Sequence, residues 1–169
     1  RCWRDEELEK LAALAERHDL IVCSDEIHCD LILDEDRQHR PFALLGKHAA
    51  QGSITLMAPS KTFNVPGLAC AFAVIPDAGL RQRFQAAMAG IVPHPNTLGL
   101  VACEAAFRHG ADWRQQLLRV LRSNRDRVEE TIAKLPGLRM AHVEATYLAW
   151  IDARGLGVAD PAAHFEAHG

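Results

Sequence analysis

The chain has 169 residues, 49% apolar and 24% charged, with mean hydropathy -0.09, a composition that argues against disorder. No apolar run approaches the ~20 residues that span a bilayer, so no membrane partner is expected. Nineteen Lys plus Arg against 22 Asp plus Glu give a net charge of -3 without a basic stripe, so no nucleic-acid partner is expected either.

Residues 5–18 predict a helix with Leu8, Leu11, Leu14 and Ala15 on one face, acids at its start and Arg17 and His18 at its end. LIVC, residues 20–23, is a short unbroken apolar run, the pattern of a strand covered on both faces. It ends in the polar cluster Ser24, Asp25, Glu26. A helix followed by such a strand is half of a doubly wound unit, in which ligands bind outside the carboxyl ends of the strands. The charge run Asp34-Glu35-Asp36 reads as a solvated turn.

SITLMAP and LACAFAVI are the next two strand candidates, and Ser60 to Gly67 between them is a loop by its Asn, Pro and Gly content. Helices are predicted over 77–90 and 97–109, the second capped by Asn96. A long amphipathic helix follows over 112–134, with Trp113, Leu117 and Leu121 on its apolar face and Arg119, Arg122, Arg125 and Arg127 on a solvated one. Pro136-Gly137 stops it. Two strands are expected over 138–143 and 146–152, with Tyr147 and Trp150 in the core, and a last helix from Pro161 that is cut off at Gly169.

Five cysteines form an odd set without CxxC spacing. Cys23, Cys70 and Cys103 sit in apolar runs, where cysteine acts as a small hydrophobe, and a reducing compartment is their natural setting. Cys23, His28 and Cys29 lie close in sequence, but no paired spacing supports zinc, and no metal is expected. Nothing at the start resembles a targeting peptide.

Two residues point to chemistry together. Lys61 lies on a Gly/Pro loop beside an apolar strand; alone it reads as a surface lysine, whereas a desolvated lysine can form a Schiff base with a carbonyl. Asp25 stands 36 positions earlier at the end of LIVC. If both strands share a sheet, a carboxylate able to hold a pyridinium N–H and an amine able to carry an aldehyde face one crevice. That division of labour suits pyridoxal phosphate.

SDEIHCDLIL (24–33) and APSKTFNVPGL (58–68) resemble the fold-type I pyridoxal-phosphate enzymes. Within them the chain is most similar to the MalY/PatB-type cystathionine beta-lyase (carbon–sulfur lyase) branch of the class I/II aminotransferase family, over essentially its whole length. The resemblance implies an α/β fold: a three-layer α/β/α large domain with a mainly parallel sheet over 1–120, and over 121–169 a linking helix and the start of a small α+β domain. It implies pyridoxal 5'-phosphate as cofactor, Lys61 as the Schiff-base lysine and Asp25 as the partner of the ring nitrogen. His28 would stand near the cofactor's phenolic oxygen, and Ser60 and Thr62 would contact its phosphate. Ala58 and Ala69 occupy positions where the wider family often has a phosphate-binding serine and arginine. The implied partners are a small sulfur-containing amino-acid substrate and a second subunit, in a cytoplasmic homodimer. The implied enzyme is about twice this length, with ring and carboxylate contacts outside the chain, so the piece alone is expected to be inactive.

The same constellation serves transamination. A third possibility is a non-catalytic regulatory or binding module.

Overall fold

A computed structural model describes residues 1–168, so the expected cut-off at Gly169 lies outside the described residues. Helix α1 spans Asp5–Arg17, and Glu7 in its first turn accepts from the Arg4 N–H at 2.9 Å. Asp19, at φ 48°, turns the chain out of α1, and the Leu20 N–H closes on the Ala15 carbonyl at 2.9 Å. That turn consumes the start of LIVC. Strand β1 therefore begins two residues late, at Val22–Asp25, with Leu20 and Ile21 exposed.

Helix α2 (Lys47–Gln51) leads into β2 (Ser53–Met57), which lies between β1 and β3 (Phe72–Val74). β1 and β2 are parallel, with Asp25 level with Leu56, whereas β2 and β3 are antiparallel. The sheet is thus mixed within this chain. β1 has one hydrogen-bonded neighbour here, so Cys23 is exposed rather than covered. α1, α2 and the 3₁₀ turn Phe42–Leu45 pack together, with the turn also against β2, and Leu8, Ala15, Phe42 and Ala49 are buried.

Helices α3 (Ala78–Met88), α4 (Thr97–His109) and α5 (Ala111–Ala133) follow. Asn96 caps α4 as expected, accepting from the Gly99 N–H at 2.8 Å. α5 crosses residue 120 without a break. The two strands expected next shrink to β4 (Arg139–Met140) and β5 (Ile151–Asp152), which pair antiparallel. Residues between them bond elsewhere: Ala145 bridges Ile32, and the Glu144 carbonyl accepts from the Leu33 N–H at 2.8 Å. Leu31 and Leu33 are consequently almost wholly buried. Helix α6 (Pro161–His168) ends the described chain.

Two surface readings are corrected by the same contacts. Arg122 donates to the Leu33 carbonyl at 2.6 Å and Arg125 to Asp34 at 2.6 Å, so these arginines and Asp34 join two elements rather than face water. Trp150 is 89% exposed and Tyr147 partly so, because the strand expected to bury them does not form. Among the described residues, no helix is long and apolar enough to cross a membrane. None of their His, Cys, Asp and Glu side chains gather in a group of three or more that could hold a metal.

Candidate active site

Parallel pairing of β1 and β2 brings their carboxyl ends to one edge of the sheet, where doubly wound folds place their ligands. Asp25 closes β1 and is exposed there. Its Oδ1 accepts from the Ile27 N–H at 3.1 Å, an Asx-type turn that fixes the carboxylate at the strand end. His28 follows in the same turn, held by the Leu31 N–H on its carbonyl at 3.0 Å.

Lys61 lies on the turn that follows β2. The Phe63 N–H donates to the Pro59 carbonyl at 2.9 Å and the Val65 N–H to the Ser60 carbonyl at 3.2 Å, which wraps the backbone around it. The Lys61 side chain is exposed rather than desolvated. Ser60 beside it is half-buried, and Thr62 is 1% exposed, beneath the turn. Ala58 is buried and Ala69 adopts a left-handed conformation at φ 48°.

The electrostatics of His28 tie the three residues together. Burial first, then the positive charge of Lys61, pushes its imidazole below the ordinary histidine range, while Asp25 pulls the other way. The lowering favours the neutral imidazole. Asp25, His28 and Lys61 thus occupy one electrostatic neighbourhood, although 36 residues separate the outer two.

A cavity of about 370 Å³ opens beside β1, lined among others by Cys2, Cys23, Asp25, His28 and Thr146. Lys61 stands outside its lining. Glu26 also reaches this wall but is spoken for. Burial alone would raise its carboxyl, yet His39 at 2.7 Å, the Phe42 N–H at 3.0 Å and Ser24 at 3.0 Å hold it below the usual range. It is a structural anchor. Cys29 is equally unsuited to chemistry, since burial pushes its thiol up to about 11.

Three supporting residues carry no sequence signal of their own. Thr146 places its hydroxyl 2.9 Å from His28 Nδ1, and Tyr147 sets its ring edgewise on the imidazole at 5.6 Å. Phe63, two residues after Lys61, packs with Phe107 at 5.8 Å and Trp113 at 6.2 Å.

Gly110, between α4 and α5, allows Phe63 to seat there. A Cβ at this position would lie 2.4 Å from both the Phe63 ring and the Ala106 carbonyl. Gly110→Ala is expected to destabilise the protein by about 2 kcal/mol, the cost of overpacking a fixed site. A thermal melt checks it, and an unchanged midpoint would contradict this packing.

Comparison with known proteins identifies the family. Residues 2–164 match the sequence profile described as aminotransferase class I and II. Cystathionine beta-lyase PatB of Bacillus subtilis is 37% identical over 166 residues, covering 95% of this chain and 42% of its own length. The crystal structure of OvoB superposes with a TM-score of 0.97 at 54% identity, covering 99% of this chain and 44% of that one. Cystalysin from Treponema denticola, whose crystal structure contains pyridoxal 5'-phosphate, superposes with a TM-score of 0.91 at 33% identity, over 98% of this chain and 42% of that one. The chain therefore spans well under half the length of these relatives, and it belongs to the aminotransferase class I and II family.

Proposed function

We propose that the whole protein is a pyridoxal 5'-phosphate-dependent carbon–sulfur beta-lyase. Its reaction is α,β-elimination on cystathionine or a cysteine S-conjugate, releasing a thiol, pyruvate and ammonia. The observation that carries this reading is the convergence of Asp25, His28 and Lys61 at the carboxyl ends of two parallel strands. The donor set fits the cofactor. It offers a primary amine for the aldehyde, a carboxylate for the ring N–H, an imidazole for the phenolic oxygen and the half-buried Ser60 hydroxyl for the phosphate, with Thr62 buried behind it. The name of the relative PatB and the cofactor in cystalysin support the same class.

When bound, the cofactor supplies an electron sink for the charge that develops at the substrate α-carbon. The chain's own residues do the rest. Lys61 Nζ would hold the aldehyde and, when free, would accept the substrate's α-proton. Asp25 would face the ring N–H, and His28 would hydrogen-bond the phenolic oxygen.

The same reading assigns residues 1–120 to a large cofactor domain and 121–169 to the linking helix and the start of a small one. It places the enzyme in the cytoplasm as a homodimer. The exposed Leu98, Leu100 and Val101 of α4 support further apolar cover in the whole protein.

Supplying the whole protein with cystathionine and no amino acceptor is expected to yield pyruvate. Keto acid formed only when an amino acceptor is present would replace this reading with transamination.

A further inference from the structure

The contact between Thr146 and His28 joins residues 118 positions apart and rests on unusual backbone. Thr146 has φ +65°, a left-handed conformation that a β-branched residue adopts only under constraint. The constraint is visible. The Thr146 N–H donates to the Leu31 carbonyl at 2.7 Å, and the adjacent Ala145 bridges Ile32. One residue earlier, the Glu144 carboxylate accepts from the Cys2 N–H at 2.9 Å and pairs with Arg4. A glycine would satisfy this backbone without strain, so what threonine adds here is its side chain. Among the described residues, the hydroxyl has one recorded polar partner, His28 Nδ1.

A neutral imidazole carries a single N–H, and the partner of one nitrogen decides where it sits. The 2.9 Å contact admits two arrangements, Nδ1–H donating to the hydroxyl or the hydroxyl donating to Nδ1. We propose that the hydroxyl donates to Nδ1 and that Thr146 is a positioning residue that fixes His28 as the Nε2–H tautomer, leaving Nε2 as a hydrogen-bond donor to an anionic oxygen in the cavity that Asp25 and His28 line. Tyr147, edgewise on the same ring, limits its rotation. The identity of that oxygen rests on the cofactor role proposed above for His28; the tautomer does not.

Nitrogen-15 NMR of the histidine rings in the cofactor-loaded whole protein tests this directly. Wild type and Thr146→Ser, which keeps the hydroxyl, are expected to show His28 with its proton on Nε2. Thr146→Val, similar in shape without the hydroxyl, is expected to give a tautomer mixture. It should also raise the His28 titration midpoint, because a hydrogen bond to the neutral form has been lost.

An Nδ1–H tautomer in the wild type overturns the proposal. So does a Thr146→Val spectrum and midpoint identical to wild type. Should Thr146→Val not fold, the wild-type and Thr146→Ser spectra decide alone. A His28 in the expected tautomer within a protein that never takes up pyridoxal phosphate would sink the lyase reading and leave this inference standing.

Discussion

Lys61→Ala is expected to lower turnover of the whole protein by at least about 10³-fold, since it removes both the covalent anchor and the base for the α-proton. The yellow absorbance of bound pyridoxal phosphate should disappear with it. Lys61→Arg should fare no better. A guanidinium stays protonated at any physiological pH, so it can neither attack an aldehyde nor accept a proton, although it keeps the charge. The pair of variants thus separates an amine that reacts from a cation that merely attracts a phosphate. Stability should hardly move, because Lys61 is exposed on its turn and surface substitutions of that kind stay within about 0.5 kcal/mol. Steady-state kinetics and absorbance spectra check the result. Activity of Lys61→Arg near wild type would contradict the assignment.

Arg125→Ala is expected to cost about 2 to 3 kcal/mol of stability. Its guanidinium lies 2.6 Å from Asp34, with side-chain exposures of only 13% and 17%. Removing Arg125 leaves Asp34 largely shielded from water with His142 as its remaining partner, and the estimate sits below the range for buried pairs because that partner and some exposure remain. His142 stands in the same clasp, with Nε2 3.0 Å from Asp34 and Nδ1 3.0 Å from Glu129. Two carboxylates on two ring nitrogens suit the imidazolium, which alone can donate from both.

Glu129, then Asp34, accordingly raises His142 above the ordinary histidine value. Burial alone would raise Asp34, but His142 and Arg125 hold it below the carboxylate range. The His142 contribution is therefore complete below about pH 6.5 and lost as pH climbs through the raised value. The Asp34 contribution is present above about pH 4 and lost on acidification. Denaturant melts across pH should peak in the mildly acidic range, and His142→Ala should flatten the alkaline decline. A decline identical in wild type and His142→Ala would show that the clasp does not titrate.

These two predictions differ in how far the sequence foretold them. Asp25 and Lys61 were legible because each follows a short apolar strand, and parallel neighbours bring their carboxyl ends together. The longer helices were legible from their periodicity and caps, down to Asn96 on Gly99, whereas the five-residue α2 was too short to show a period. The direction of β3 was not. Apolar composition does not say whether a strand runs up or down, and the loop over residues 58–71, with its 3₁₀ turn Pro66–Leu68, sends Phe72–Val74 back against β2.

The clasp was hidden for a different reason. Helical spacing shows that Arg122 and Arg125 share a face, but not that the Asp34 loop lies across from it. Thr146 was the least visible of all. Its role depends on a strained backbone and on a partner 118 residues away, and neither leaves a local pattern.

Borohydride reduction of the cofactor-loaded whole protein, followed by proteolysis and mass spectrometry, reports which amine carries pyridoxal phosphate. The predicted result is a single modified peptide with the pyridoxyl group on Lys61. Modification of another lysine, or none in a protein saturated with cofactor, would contradict it.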